Sequence, residues 1–550
     1  MIRSTLSVTK QTPLAPRGLV TAEHVLGAEV GAAILERGGN AIDAAVATAF
    51  AMTVIEPFMS TIAGAGTMMI HLARRGETVA LDFNGNAPLR AHETMYRLTG
   101  GIATHALFAW PQVEDDANVF GHRSVAVPGS VRGLATALER YGTMTLADVV
   151  KPAIALARDG IPTDWYLALM HLRYHQEISA SPETSRVYLR ESRWVPRPPA
   201  LEPGDRMTFP DLARSLELIG RDGPDAFYRG AIADAIVDEM SRGGGLITKE
   251  DLAAYEVRIG EPLRGQYRSL ELAFSPGATG GITALEILNI LAAFPAARVS
   301  WQTVDGLDLR ARAVCRAFLD RFEHVGDPNF AKVDWERLAS PQYGREAAAR
   351  LRKGDRGGRV TKPAADECTT HVCAVDRHRN MVALTHTAVS LFGSRVVARD
   401  TGILLNNGMI WFDPEPGKAN SIAPGKRGMV NMVPALAFRR GQPYLAVGAP
   451  GGRKIVSAIP QVIANLADSK VSIQQAIEAP RLHTEGGPVD VDDRVGEKTL
   501  DGLRRRGHDV VPRHETYSTV RFSRPIGIRV TPKGLEAGLD ALGAAAAAGH

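Results

Sequence analysis

The stretch Cys368-Thr369-Thr370-His371-Val372-Cys373-Ala374-Val375-Asp376 is the most informative part of the sequence. A polar, basic segment ends there and a strand pattern begins. The preceding run, 351–365, is rich in Lys, Arg, Gly and Asp, which predicts an exposed, mobile linker. A polar turn at 376–380 separates the first strand pattern from a second one over 381–387. The sequence therefore predicts a β-hairpin that follows a segment open to cleavage.

Thr369 stands where this linker meets the strand. If the bond after Cys368 is cut, Thr369 becomes a chain terminus that carries a hydroxyl nucleophile and an α-amine. The ordinary pKa of an α-amine is about 7.7–8.0, so this amine can serve as general base for its own hydroxyl. Thr-Thr-His also fits an ordinary strand, so these residues alone leave a purely structural role open.

Helical and strand patterns alternate through the rest of the chain. Apolar spacing predicts two N-terminal helices, with Gly38-Gly39 ending the first and Asn40 capping the second, 41–54. The later elements are predicted in this order: strands 67–72 and 78–83, mostly helices over 128–256, a helix over 282–294, strands 434–438 and 444–447, and a helix over 453–466. The alanine-rich tail, 543–550, is predicted to be disordered.

The composition excludes several classes of function. The 64 basic and 60 acidic residues leave a net charge of only +4, without the long basic runs that bind nucleic acid. Cys315, Cys368 and Cys373 are too few for a disulfide framework and lack the spacing of a zinc site. Gly64-Ala65-Gly66 is only a fragment of a dinucleotide-binding motif, and P-loop and HExxH motifs are absent from the sequence. We therefore expect no metal and no cofactor.

The N-terminus has no continuous apolar segment of the kind that forms a signal peptide. No stretch of about 18 apolar residues follows it. We expect a cytoplasmic protein that has no membrane partner and acts on a small molecule.

Five short motifs from Thr369 onward resemble, in their order, those of the γ-glutamyltransferase family. They are Thr369-Thr370-His371, Thr385-His386-Thr387, Gly402-Ile403-Leu404-Leu405-Asn406-Asn407, Pro424-Gly425-Lys426-Arg427 and Gly448-Ala449-Pro450-Gly451-Gly452. Three further motifs lie at 39–45, 127–130 and 245–252. The resemblance covers roughly Gly18 to Gly496 and favours the catalytic interpretation of Thr369.

The resemblance implies an α+β fold, the four-layer αββα sandwich of N-terminal-nucleophile hydrolases, in which a precursor cleaves itself. Cleavage between Cys368 and Thr369 would give a large subunit, 1–368, and a small subunit, 369–550. These would remain together as a heterodimer, and further dimerisation is left open.

The matching positions imply roles for four residues. Thr369 would be the nucleophile, and Thr387 would orient it by a hydrogen bond from the paired strand. Gly451 and Gly452, at the start of a helix, would offer their N–H groups to the oxyanion. Alternation along the strand places His371 on the same face as Thr369, where a supporting role and a plain core histidine remain equally open.

The expected acyl-binding positions depart from the family's pattern for glutamate. In relatives that act on glutathione, an arginine and several polar residues hold the glutamyl group, and those positions fall here on Glu93, Val389, Gly408, Trp411, Val430 and Asn431. A buried zwitterion needs charge-assisted partners to replace its hydration, and the three apolar side chains offer none. A shifted alignment would bring Arg90 to the arginine position. We expect an acyl group that is more apolar than glutamate or lacks its amino-acid head.

Three functions remain open from the sequence. The first is an amidohydrolase that forms an acyl-enzyme on Thr369, with transfer of the acyl group to an amine instead of water also open. The second keeps γ-glutamyl chemistry and a re-aligned glutamate clamp. The third is a non-catalytic scaffold that folds as an uncleaved chain, which the joint retention of Thr369, Thr387 and both glycines disfavours.

Overall fold

Two seven-stranded antiparallel sheets form the centre of the molecule. The computed structural model describes residues 8–103, 110–355 and 368–550. The strands are, in chain order, β1 (Leu14–Ala15), β2 (Leu19–Ala22), β3 (Ala65–Leu72), β4 (Glu77–Phe83), β5 (Leu98–Ile102), β6 (Pro111–Val113), β7 (Ile161–Pro162), β8 (Arg206–Met207), β9 (Arg258–Gly260), β10 (Leu263–Tyr267), β11 (Leu270–Phe274), β12 (Thr370–Val375), β13 (Met381–Thr387), β14 (Val397–Ala398), β15 (Ile403–Leu404), β16 (Ala435–Arg439), β17 (Gln442–Gly448), β18 (Leu482–His483), β19 (Val489–Asp492), β20 (Val510–Arg513), β21 (Ile526–Thr531), β22 (Gly534–Leu539) and β23 (Ala546–Gly549).

Helices cover the outer faces of both sheets. They are α1 (Val25–Glu36), α2 (Ala41–Ile55), α3 (Ser130–Tyr141), α4 (Leu146–Asp159), α5 (Trp165–Arg173), α6 (His175–Ser179), α7 (Pro182–Tyr188), α8 (Pro210–Asp222), α9 (Asp225–Tyr228), α10 (Ala231–Gly243), α11 (Lys249–Ala253), α12 (Gly281–Ala292), α13 (Val304–His324), α14 (Trp335–Leu338), α15 (Pro341–Arg352), α16 (Lys454–Asp468), α17 (Ile473–Glu478) and α18 (Glu497–Arg505). None of the helices described is long and apolar enough to span a membrane. The cytoplasmic location stays a prediction.

The layers stack in the order helix, sheet, sheet, helix. One sheet runs β23-β2-β12-β13-β3-β4-β9, and the other runs β1-β22-β21-β17-β16-β11-β10. Helices α1, α2 and α3 pack on the first sheet, with α4 and α8 behind them, and α12, α16 and α17 pack on the second, with α13 behind α12. A third apolar cluster, with members from both sheets, fills the space between them. This arrangement confirms the predicted α+β, four-layer αββα fold.

Local sequence signals explain the central elements. Asn40 accepts hydrogen bonds from the N–H groups of Ile42 and Asp43, and the Asp43 carboxylate accepts from the Asn40 N–H, which completes a capping box at the predicted start of α2. On β12, Val372 and Ala374 pack toward the helices, whereas Cys373 faces the other sheet. Both faces of β12 are therefore buried, as its mostly apolar and β-branched sequence predicts.

Two expectations need correction. The predicted disorder of the tail is wrong, because β23 pairs with β2, with Gly549 opposite Leu19. Backbone pairing needs no large side chains, and a Cβ on Gly549 would come within 2.3 Å of the Gly18 carbonyl oxygen, so small residues suit this edge. The predicted linker begins too early, since Leu351 is buried in α15. Most of that linker, 356–365, lies outside the described residues.

Candidate active site

A pair of threonine hydroxyls lies at the open end of the β12–β13 hairpin. The register pairs Thr370 with His386, so one residue further Thr369 lies opposite Thr387. Their hydroxyl oxygens are 3.5 Å apart. The Thr387 hydroxyl accepts a hydrogen bond from the Val389 N–H at 2.8 Å and donates to the Cys368 carbonyl oxygen at 3.3 Å, a carbonyl that the Thr369 hydroxyl also contacts. Both threonines are buried, so these contacts are shielded from water.

The Cys368 side chain also fixes the position of the peptide bond before Thr369. The Cys368 thiol donates to the carbonyl oxygens of Phe58 and Met59 at 3.1 and 2.8 Å. Burial raises the pKa of this thiol, which keeps it protonated as a hydrogen-bond donor. Cys368 thus anchors the predicted cleavage site without offering a thiolate.

His371 lies between the two sheets, on the same strand face as Thr369. Its Nδ1 is 2.9 Å from the Thr385 hydroxyl, and its Nε2 is 3.3 Å from the Cys373 sulfur. A Cβ on Gly448 of the facing sheet would meet the ring at 2.0 Å, so glycine makes room for the imidazole. Burial lowers the pKa of His371 to about 3, which keeps the ring neutral. This environment favours the core-histidine interpretation.

Gly451 and Gly452 form the turn between β17 and α16. Their φ angles are +124° and +50°, conformations that favour glycine. A Cβ on Gly451 would lie 2.7 Å from the Ser523 Cα, and the Ser523 hydroxyl fixes the preceding Pro450 carbonyl at 2.6 Å. Gly451 lines a small cavity together with Met59, whose carbonyl accepts the Cys368 thiol. The turn and the Cys368 thiol therefore have Met59 as a common neighbour, and the turn lies at a helix N-terminus suited to an oxyanion.

Three of the predicted acyl-binding residues meet in one buried apolar cluster, which we call the acyl cluster. Val389, Trp411 and Val430 belong to it, together with Trp110, Val119, Ile282, Ile410, Met429 and Met432. Val389 adopts φ +91°, a strained conformation for a β-branched residue of the kind found at functional sites. Because Val389 also donates its N–H to Thr387, the cluster begins directly beside the hydroxyl pair.

The remaining predicted acyl-binding residues are placed differently. Asn431 is turned toward Arg321, whose Nη2 donates to the Asn431 Oδ1 at 3.1 Å and to the Val430 carbonyl at 2.7 Å. The Gly408 N–H donates to the Asn406 side chain at 2.8 Å. Glu93 and Arg90 are both exposed.

Two buried ionisable residues escape sequence reasoning. Arg321 lies fully buried behind Val430, and burial lowers the pKa of its guanidinium to about 9. Glu56 follows the fully buried helix α2, and its carboxylate accepts from the Thr370 hydroxyl at 3.4 Å. Burial raises the pKa of Glu56 to about 7. The sequence contains a signal for the burial of Glu56, because this carboxylate directly follows an apolar helical run. It contains no such signal for Arg321, which lies in an arginine-rich helix.

The residues described contain no group of three or more His, Cys, Asp or Glu side chains that could hold a metal ion. The arrangement instead offers two hydroxyls, a helix N-terminus and a buried apolar cluster. These are the elements of acyl transfer through a hydroxyl nucleophile.

Comparisons with known proteins agree with this arrangement. Acylase ACY 1 proenzyme of Pseudomonas sp. (strain SE83) is 39% identical over 501 residues, which cover 90% of this chain and 87% of that protein. Glutathione hydrolase proenzyme of Escherichia coli (strain K12) is 35% identical over 525 residues, 92% of this chain and 88% of that protein. The crystal structure of cephalosporin acylase from Bacillus halodurans superposes with a TM-score of 0.87 at 28% identity, covering 100% of this chain and 98% of that one.

The family match extends further than the sequence motifs suggested. Residues 27–550 match the gamma-glutamyltranspeptidase family, so the resemblance continues past Gly496 to the end of the chain. The relatives include hydrolases and acylases described as proenzymes. The chain therefore belongs to the gamma-glutamyltranspeptidase family.

Proposed function

We propose that this protein is a self-processing amidohydrolase that uses Thr369 as its N-terminal nucleophile and prefers an acyl group other than γ-glutamyl. The observation that carries the proposal is the contact of two threonine hydroxyls with the Cys368 carbonyl oxygen. That carbonyl belongs to the bond whose cleavage would create the new N-terminus.

Self-cleavage follows from this geometry. The Thr369 hydroxyl oxygen attacks the Cys368 carbonyl carbon while the Thr387 hydroxyl donates to the developing oxyanion. A C–O bond forms, the C–N bond breaks, and the proton of the hydroxyl passes to the Thr369 nitrogen. Water then hydrolyses the ester and yields fragments 1–368 and 369–550, which remain associated as a large and a small subunit.

Turnover uses the amine that cleavage releases. The free α-amine of Thr369 takes the proton of its own hydroxyl, and the oxygen attacks the amide carbon of a small-molecule substrate. The N–H groups of Gly451 and Gly452 stabilise the oxyanion, and the proton is delivered to the departing amine. Water, or a second amine, then releases the acyl group from Thr369.

The acyl cluster supports a preference for an apolar acyl group. Val389, Trp411 and Val430 provide surface but no hydrogen-bonding side chain for a zwitterion, except for the indole N–H of Trp411. The 39% identity with an acylase of Pseudomonas points the same way. Val389, Gly408, Trp411, Val430 and Asn431 are therefore proposed to bound the acyl group, with Arg90 and Glu93 at the exposed rim.

A second candidate is γ-glutamyl hydrolysis with a re-aligned clamp. The 35% identity with glutathione hydrolase of Escherichia coli favours it, and Arg90 is the side chain that would bind the α-carboxylate. The exposed position of Arg90 makes this candidate weaker, because the carboxylate would have to stay near the surface.

The mass of the intact subunits after incubation with amides tests the proposal. The panel contains γ-glutamyl, glutaryl, oxamyl and aliphatic amides of the same amine. We expect two fragments that meet between Cys368 and Thr369, and an acyl adduct on the fragment beginning at Thr369 with the aliphatic or glutaryl donor. A γ-glutamyl adduct alone would establish the second candidate. An uncleaved chain without any adduct would support the scaffold.

A further inference from the structure

A second cavity adjoins the glycine turn and is separate from the acyl cluster. It is lined by Gly451 and Pro450 of the turn, by Met59, and by the polar side chains of Glu23, Glu56, Tyr166 and Arg524. Met59 links the cavity to the predicted cleavage site, because its carbonyl oxygen accepts the hydrogen bond of the Cys368 thiol. None of its lining residues belongs to the acyl cluster.

Two of the polar groups in this cavity lack a partner. Glu23 and Arg524 are each only 6% exposed. Among the described residues, neither Oε1 of Glu23 nor Nη2 of Arg524 has a hydrogen-bond partner. Buried polar groups without a partner are costly, so a carboxyl oxygen and a guanidinium nitrogen left unsatisfied around one cavity point to a ligand.

An exposed aromatic patch lies beside the cavity. Trp165 and Tyr517 pack edge to face with their ring centroids 5.4 Å apart, and Trp165 also contacts Tyr166 of the cavity wall at 5.2 Å. Val520, which lines the cavity itself, is exposed as well. Arg524 in turn lies over the Tyr166 ring, 5.3 Å from its centroid. The apolar patch is therefore connected through Tyr166 to the Arg524 guanidinium, whose Nη2 has no hydrogen-bond partner among the described residues.

The size of the cavity limits what it can hold. Its volume is about 30 Å³, and a single water needs about 10–15 Å³. The cavity thus accepts two waters or one group of similar size, such as a carboxylate, but not a whole ring. A larger apolar body would have to rest on the aromatic patch outside.

The charges favour an anionic group. Burial raises the pKa of Glu23 well above its usual range, and it raises the pKa of Glu56 to about 7. Below pH 7 the Glu56 carboxyl is therefore mainly protonated and can donate a hydrogen bond beside the Arg524 cation, and the raised pKa of Glu23 weakens its negative charge in the same sense. The other charged or titratable groups facing this pair are Lys10, Asp540, His24 and Asp164.

We propose that this cavity and the patch of Trp165, Tyr517 and Val520 form the subsite for the amine side of the substrate, and that it selects aromatic or apolar amines that carry a carboxylate. Arg524 binds the carboxylate in the cavity, and the patch holds the ring. This assignment rests on the proposed amide hydrolysis. It adds a specificity site that is distinct from the acyl cluster.

Equilibrium binding of two isosteric amines tests the subsite without requiring acylation. The probes are 3-aminobenzoate and 3-aminobenzamide, which differ only in the charge of one group. Calorimetry with the purified, processed protein at pH 6 is expected to show about tenfold or greater preference for 3-aminobenzoate, the size of one charge-assisted hydrogen bond. Arg524→Gln is expected to reduce the ratio of the two affinities to about one.

Arg521→Gln is the matched control. Arg521 is an exposed arginine three residues away, so its loss changes the net charge equally but leaves the preference intact. The ratio is measured within each variant, so a partly unfolded preparation does not alter it. Equal binding of both probes by the wild type, or a preference that survives in Arg524→Gln, would overturn the assignment.

Two further measurements separate the subsite from the proposed reaction. For wild type and Arg524→Gln, the ratio of kcat/KM for N-acyl-3-aminobenzoate and its carboxamide should follow the binding ratio. A binding preference without any acyl adduct on Thr369 would refute the reaction but leave an anion site. Raising the pH from 6 to 8 should weaken 3-aminobenzoate binding severalfold, because the ionised Glu56 then repels it, and Glu56→Gln should remove this dependence. Binding that strengthens with pH would contradict the charge argument.

Discussion

Thr387 of the hydroxyl pair and Val389 of the acyl cluster are two residues apart along the chain, yet their side chains have very different surroundings. Thr369 and Thr387 depend on polar contacts of fixed geometry, down to the hydrogen bond from the Val389 N–H. The side chain of the same residue, Val389, belongs to the apolar acyl cluster. If the proposed function is right, the Val389 amide supports the reaction and the Val389 side chain affects the choice of substrate, so the side chain can change while the amide contact is kept.

The largest effect is expected from removing the nucleophile. Thr369→Ala should leave the chain uncleaved and lower amide hydrolysis by about 10³-fold or more, as for other nucleophile deletions. Denaturing electrophoresis and intact mass measure both effects. Thr369→Ser keeps a hydroxyl and should still be cleaved, and a cleaved Thr369→Ala protein would indicate an external protease.

Disturbing the glycine turn should come next. Gly451→Ala places a Cβ 2.7 Å from the Ser523 Cα at φ +124°, so the turn must move. If its N–H groups serve the oxyanion, the acylation rate should fall by about 10²–10³-fold, the cost of losing such a donor. Single-turnover kinetics with the best amide of the panel measures this rate.

Gly441→Ala provides the comparison for that change. Gly441 has φ +70°, and a Cβ there would meet no atom within 4 Å. It should lower the free energy of unfolding by about 1–2 kcal/mol, the usual cost of left-handed backbone, with no change in acylation. Equal loss of acylation in both variants would mean that backbone strain, and not the position of the Gly451 N–H, is responsible.

The sequence predicted the pairing of Thr369 with Thr387 better than the arrangement of the other candidate site residues, for physical reasons. A hairpin has fixed register, so eighteen residues of spacing place Thr387 opposite Thr369 once the strands are recognised. Val389, Trp411 and Val430 come from three separate loops, and only the fold brings them together. Arg524 and Glu23 are further apart in sequence still, and no periodic pattern links them. The tail was misjudged because alanines carry no strand signal, although backbone pairing to β2 suffices.

The wall of the acyl cluster is predicted to depend on a cation behind it. Arg321→Met would leave the carbonyl oxygens of Thr279 and Val430 and the Asn431 amide oxygen without their buried donor. The free energy of unfolding should fall by about 3 kcal/mol, typical of breaking a buried charged hydrogen-bond network. Denaturant titration measures this change. Arg345→Met, on the exposed face of α15, should change it little, and equal losses would show that Arg321 has no special part in the wall.

The smallest expected effect tests specificity itself. Val389→Asn restores a polar side chain at the position where glutathione-active relatives have asparagine, and asparagine also tolerates the φ of +91° better than valine. Hydrolysis of an aliphatic amide should fall about tenfold, because an unpaired amide group then faces the apolar acyl chain. Hydrolysis of the γ-glutamyl amide should stay low, since Trp411 and Val430 still provide no partner for its charges.

The ratio of kcat/KM for the two amides measures this change in specificity. Val119→Asn is the control, because Val119 is buried in the same cluster but does not adjoin the hydroxyl pair. If both variants lose aliphatic hydrolysis equally, the polar group acts by loosening the cluster and not by meeting the substrate. If Val389→Asn alone creates efficient γ-glutamyl turnover, the cluster already contains a glutamate site that lacks only one amide group. A single substitution would then be enough to change the acyl specificity without changing the hydroxyl pair.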